Sequence, residues 1–309
     1  MKENHITENL ELNDSINLVE LFHVIFNGKW IIISITFFAS IGSVLYSLSL
    51  PDIYKSHALL APVENSNSMS GALQSYSSLA GIAGINIPSA ESGNNSVEAM
   101  EKVNTLSFFE NNLLPNIYVP ELMAVKTWDA DRNDLNFDDN VFNKINNSWN
   151  INFFNSEKGP TSQESFKEFQ RLINISKDKD TGFVKISVKH QSPYVAKKWA
   201  ELIVSEVNSF YRQKDKLEAE RAVNYVNTQM AKTSFTEIKL MMAEIVQQKI
   251  QTLTLIEASE FYVFDYIDPP AVMEQKSEPA RALICIIGAV LGGMLSIIVV
   301  LLRHFRSQS

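Results

Sequence analysis

The chain has 309 residues, 45% hydrophobic and 20% charged, with a formal net charge of −8. That is the composition of a folded protein, not of a disordered or collagen-like one. The acidic balance argues against a nucleic-acid binder, which presents a basic face. Cys285 is the only cysteine and lies inside an apolar run, so no intrachain disulfide can form. A thiol buried among apolar groups is a poor nucleophile.

Residues Trp30 to Leu50 and Ala282 to Leu302 each run twenty-one positions without a charge. A helix needs about 20 apolar residues to cross the hydrocarbon core of a bilayer. Residues 1–29 are acidic and no small-residue cleavage site follows the first run, so it reads as an uncleaved anchor. Two spans put both termini on one side and residues 51–281 on the other. Lys29, Arg303 and Arg306 flank the spans on one side, and Lys55, Lys276 and Arg281 on the other. Charge bias therefore leaves the orientation open. Gly288 and Gly292 form a GxxxG with Gly293 beside it, a spacing that lets a second helix approach closely.

Between the spans, Tyr54 to Val63 alternates like a strand. Asn65 to Ser96 is rich in Ser, Gly and Asn and reads as an irregular excursion. Ser96 can cap a helix from Val97 to about Asn111, before Pro115. Ser165 to Leu172 reads as a short helix. Leu172 to Lys177 and Phe183 to His190 flank Asp-Lys-Asp-Thr-Gly as a hairpin, with Val184, Ile186 and Val188 on one face.

Ser192-Pro193 then opens a helix. From Tyr194 to about Ser259 there is neither proline nor glycine. Apolar residues including Trp199, Val223, Val226 and Met230 recur at helical spacing. Sixty-six residues at about 1.5 Å each would make a rod of roughly 100 Å. A break, if any, falls in the Thr and Ser cluster at Lys232 to Thr236. The charges Lys214, Asp215, Lys216, Glu218, Glu220 and Arg221 fit either a solvated face or a subunit surface. Phe261 to Ile267 alternates as a strand that would rejoin the sheet begun at Tyr54. Asp268-Pro269-Pro270 stops it.

The chain carries no P-loop and no GxSxG, and His5, His23, His57, His190 and His304 lack metal-ligand spacing. Asp129-Ala-Asp131-Arg-Asn133 begins like a calcium loop. Asp134 then stands where the turn needs glycine, and Asn140 where a bidentate glutamate is needed. It reads as a solvated acidic loop. No catalytic residue, cofactor or metal is assigned.

Four stretches resemble one family, the Wzz-type polysaccharide chain-length determinants or co-polymerases. Ile16 to Trp30 resembles their lead-in to the first span, and Ser-Leu-Ala-Gly-Ile-Ala-Gly-Ile (Ser78 to Ile85) a segment after their first strand. Val184 to Lys198 resembles their strand-to-long-helix junction. Phe261 to Ala282 resembles their proline-rich approach to the second span. The resemblance implies an α+β membrane protein: two transmembrane helices flank a periplasmic α/β domain with a small sheet and a very long projecting helix. The implied layout is 1–29 cytoplasmic, 30–50 first span, 51–281 periplasmic with the long helix about 194–259, 282–302 second span, and 303–309 a cytoplasmic tail without the kinase extension of the capsule branch. It implies a Gram-negative inner membrane, a homo-oligomer, and control of O-antigen or related chain length in lipopolysaccharide biosynthesis. The partners would be a membrane polymerase, lipid and the nascent polysaccharide, with no nucleic acid. The role would be non-enzymatic. In this frame Gly288, Gly292 and Gly293 would pack the spans. Pro269, Pro270 and Pro279 would stiffen the neck, since proline fixes φ. Trp199, Val223, Val226 and Met230 would carry oligomer contacts. The competing reading is a membrane adaptor of an export channel. A sensor would need an output module that seven residues after the second span cannot encode, and a glycan hydrolase would need two juxtaposed carboxylates.

Overall fold

The computed structural model describes residues 18–63, 95–154 and 158–308. Residues 1–17 and the stretch 64–94, with Ser78 to Ile85, lie outside the described residues. In chain order the main elements are helices α1 (Leu18–Asn27) and α2 (Lys29–Ser49), strand β1 (Tyr54–Pro62) and helices α3 (Asn95–Val103) and α4 (Val119–Met123). Strands β2 (Val125–Asp129) and β3 (Asp134–Phe137), helix α5 (Ser162–Leu172) and strands β4 (Ile173–Lys177) and β5 (Val184–His190) follow. Helices α6 (Pro193–Lys232) and α7 (Thr236–Ala258), strand β6 (Phe264–Asp268) and helix α8 (Arg281–Gln308) complete the chain. It divides into two compact units, Met1–Pro51 with Glu278–Ser309, and Asp52–Ser277.

In the first unit α2 and α8 pack along each other, with α1 against both. Both long helices are apolar enough to cross a membrane. Their large side chains point outward, for example Phe38 and Met294, and the buried positions include Ser47 and Ser296. A soluble helix buries its large apolar residues; this inverted pattern suits a lipid surround, where small residues face the partner helix.

The second unit is built on a four-stranded antiparallel sheet in the order β4-β5-β1-β6. Alternation along β5 buries Val184, Ile186 and Val188. Ala58 and Leu60 of β1 lie opposite Ile186 and Val184. Gly182 turns the β4–β5 hairpin with φ +73°, a conformation that costs glycine little. β6 returns the chain beside β1, as its alternation predicts. Across this sheet lies the first part of α6, which buries Val195, Trp199, Ile203, Val207 and Tyr211 at helical spacing. Burying each such side chain contributes about 1.5–3 kcal/mol.

Local signals set the helix starts. The Ser192 side chain accepts from Val195 N–H, with Pro193 in the first turn. Thr161 and Glu164 form a reciprocal capping box, so α5 begins three residues before the expected Ser165.

Two expectations need correction. Ser96 lies inside α3 rather than at its cap, and the helix stops at Val103 instead of running to Asn111. Thr105 competes with the helix: its hydroxyl accepts from Phe108 N–H and opens a new turn. The 194–259 run is not one rod. It breaks at Thr233 to Phe235, both cap residues being extended, and α7 folds back along α6. The 40-residue α6 is therefore about 60 Å long, not 100. Asp129 to Asn133 is the β2–β3 turn: Asp129 Oδ1 accepts from the N–H groups of Asp131 and Arg132, and Asn133 takes φ +49°. Among the described residues no three His, Cys, Asp or Glu side chains are grouped to hold a metal ion.

Candidate functional site: the paired terminal helices and the helical hairpin

Two features of the fold could carry an assembly function, one in each unit. The first is the α2–α8 seam. Gly288, Gly292, Ser296 and Val300 recur every four residues along α8 and form one ridge. A Cβ added at Gly288 would overlap the Ser43 side chain, and one at Gly292 would overlap Ala39. At the far end Val300 sits over Gly28, where a Cβ would come within 2.8 Å of its Cγ2. Gly293 is looser: its added Cβ would meet only Thr36 Oγ1, at 3.8 Å. The helices run antiparallel with small side chains interleaved. The seam also holds hydroxyls: Ser296 Oγ donates to Gly293 O at 2.6 Å, and Ser43 Oγ to Ser40 O at 2.8 Å. The partner residues Thr36, Ala39, Ser43 and Ser47 were not singled out from sequence, although their 3–4 spacing was readable there.

The second feature is the α6–α7 hairpin. Ala219, Val223, Val226 and Met230 follow the 3–4 spacing of a coiled-coil seam, as do Met242, Val246, Leu253 and Ile256 on α7. All of these side chains are buried or half-buried. Val223, Val226 and Met230 therefore lie on the face that α7 covers within one chain. Trp199 is fully buried in the core, its ring against His190 at 5.2 Å. It cannot belong to a surface, which corrects its assignment to oligomer contact. The outward face of α7 instead leaves Leu240, Met241, Ile250 and Leu255 half or more exposed, and Phe235 at the turn is 69% exposed.

Lys214, Asp215 and Lys216 of α6 act within the chain. Lys214 pairs with Glu98 at 3.1 Å, Lys216 pairs with Glu257, and Asp215 accepts from the Tyr262 hydroxyl. The Lys216 ammonium holds the Glu257 carboxyl below the usual glutamate range. Arg212 caps the end of α7 by donating to Ser259 O and Glu260 O, each at 2.7 Å.

The proline group divides. Pro270 is buried and Pro269 exposed just after β6, while Pro279 is half-buried at the start of the other unit. Between them Ser277 N donates to Ile53 O at 2.8 Å, and Lys276 pairs with Asp52 at 3.2 Å. The chain segment that follows β6 is thus tied to the residues just before β1.

Residues 14–103, from the lead-in helix through α3, match the family model described as chain length determinant protein. Over those residues the chain is similar to the chain length determinants. Among solved structures, a full-length bacterial polysaccharide co-polymerase is 14% identical and matches over 94% of this chain and 99% of its own, at a TM-score of 0.40. A fragment of WzzB, a polysaccharide co-polymerase from Salmonella Typhimurium, is 12% identical over 74% of this chain and all of its own, at 0.30. No curated protein sequence matches significantly. The region shared with the chain length determinants contains α2 and β1, so it holds one side of the glycine seam and the strand that anchors the sheet.

Proposed function

We propose that the protein regulates the chain length of O-antigen or a related surface polysaccharide. It would act as a homo-oligomeric, non-catalytic scaffold beside the membrane polymerase in a Gram-negative inner membrane. The observation that supports this most is the family match across the first apolar helix and first strand. In this reading both termini are cytoplasmic, the α/β unit is periplasmic, and residues 30–50 and 282–302 cross the bilayer. Gly288 and Gly292 hold the two spans together, with Gly293 beside them. The exposed face of α7 meets neighbouring copies, because side chains such as Leu240, Met241 and Leu255 are costly to leave in water. The α6–α7 hairpin presents that face.

The competing reading is an export adaptor, and the two separate on one question. Cells lacking the chain should still deliver polymer to their surface; complete loss of surface polymer would favour export. For topology, a reporter active only in the periplasm should work when fused near Asn136 and be silent after Ser309. The reverse pattern would invert the assignment.

A further inference from the structure

We infer that a cavity beside α4 and the first turn of α6 is a saccharide-binding subsite that takes one uncharged sugar ring. This inference rests on the reading of the chain as a polysaccharide regulator. The cavity has a volume of about 270 Å³ and is lined by residues that include Tyr118, Glu121, Asn133, Asp134, Lys144 and Tyr194. Ligand sites for drug-sized molecules span roughly 300–1,000 Å³, so this one suits a single ring of a longer chain whose remainder stays in solvent.

Its chemistry is divided as a sugar requires. Tyr118 and Tyr194 are 45% and 49% exposed. Both rings are steadied by neighbouring rings: Tyr118 meets Phe137 and Phe142 edge-on at 6.4 Å, and Tyr194 meets Trp128 at 6.2 Å. The C–H face of a pyranose carries slight positive charge and stacks on the negative face of such a ring. Hydroxyls need acceptors and donors in fixed places. Glu121 Oε2 is buried with no hydrogen-bond partner among the described residues. Glu121 nevertheless lines the cavity, and its carboxylate is the acceptor that a sugar hydroxyl would meet there. Asn133 Oδ1 is taken by the Trp128 indole N–H at 3.1 Å, which leaves its amide nitrogen to donate.

Charge excludes the obvious alternatives. Lys144 donates to both carboxylate oxygens of Asp134, at 2.7 and 2.8 Å, so the only cation among the described lining residues is paired. With Glu121 unpaired beside it, an anionic ligand would be repelled. Burial pushes the Glu121 carboxyl up, and Lys198 opposes that shift.

The cavity wall is also held in advance. His190 Nδ1 accepts from Ser192 N–H at 2.9 Å, so its proton sits on Nε2 and is donated to Glu121 O, also at 2.9 Å. One buried imidazole thus ties the backbone of Glu121 to the cap of α6, which carries Tyr194. Preorganisation of this kind lowers the ordering cost of binding.

The test uses the full chain in detergent micelles and the oligosaccharide released by mild acid from the surface polysaccharide of its own cells. Saturation-transfer NMR should show transfer from wild-type protein to the oligosaccharide. Tyr194→Ala should weaken binding by about ten-fold, while Tyr194→Phe keeps the ring and should stay near wild type. Glu121→Gln exchanges a charge-assisted hydrogen bond for a neutral one and should weaken binding about three-fold or more. That variant preserves side-chain shape, so it decides the matter if Tyr194→Ala does not fold. No transfer from wild-type protein, or equal transfer from wild type and Glu121→Gln, overturns the subsite. Failure of the underlying reading looks different: polymer length would be unchanged when the whole chain is deleted.

Discussion

Asn208 of α6 closes a two-way hydrogen-bonded pair with the backbone of Phe264. Its Nδ2 donates to Phe264 O at 3.0 Å, and its Oδ1 accepts from Phe264 N–H at 3.0 Å. The same oxygen accepts from the N–H groups of Tyr262 and Val263, at 3.3 and 2.7 Å. One buried amide thus satisfies the chain where it leaves the hairpin and re-enters the sheet. Asn208→Ala should therefore cost at least about 3 kcal/mol, since each buried group left unpaired costs about 1–3. Chemical unfolding of the purified protein measures this; a loss below about 1 kcal/mol would mean that water or a shifted backbone replaces the amide.

The glycine seam gives a graded prediction. Gly292→Ala places a methyl group into Ala39, and overpacking typically costs about 1–3 kcal/mol. Gly293→Ala meets nothing closer than 3.8 Å, and Gly42→Ala meets open space. Thermal unfolding in detergent should separate Gly292→Ala from the other two. Gly288→Leu with Gly292→Leu should further shorten the polymer or make it less regular. Equal behaviour of all three alanine variants would show that the seam is not close-packed.

Acid sensitivity should trace to His190. Burial lowers its pKa below the ordinary 6.5, with the hydrogen bond to Glu121 O opposing. As pH falls through about 6.5 the unfolded chain takes up a proton that the folded chain resists. Stability is thus fully present above that value and is lost as pH falls toward the folded value. His190→Gln should flatten the stability profile across this window, although it lowers stability at neutral pH. A profile as steep as wild type would assign the titration to another group.

Val226→Pro tests the hairpin. Proline inside a helix costs about 3 kcal/mol, and this site faces α7. The variant should insert in the membrane yet lose chain-length control, whereas Val226→Leu should act like wild type. Normal modal length at normal abundance in Val226→Pro would detach the hairpin from function.

Much of the fold was legible because local rules decided it. Charge-free runs marked the terminal helices, alternation marked β1, β5 and β6, and Ser192-Pro193 marked the start of α6. The turn at Thr233 to Phe235 was only half legible: the Thr and Ser cluster located it, but no glycine or proline demanded it. What fixes it is the match between the 219–230 and 242–256 stripes, a long-range fact. The same limit explains Trp199, whose apolar spacing fits a core or an interface equally well. The cavity was not legible at all. Tyr118, Glu121, Asn133 and Tyr194 come together only through β2, β3 and the His190 tie, and no spacing announces them.

The most direct measurement is the length distribution of surface polysaccharide from cells lacking the chain, resolved on a gel beside cells in which it is restored. The account predicts polymer of broad, unclustered length without the chain, and a return of the modal cluster on restoration. An unchanged modal cluster in its absence would contradict the account.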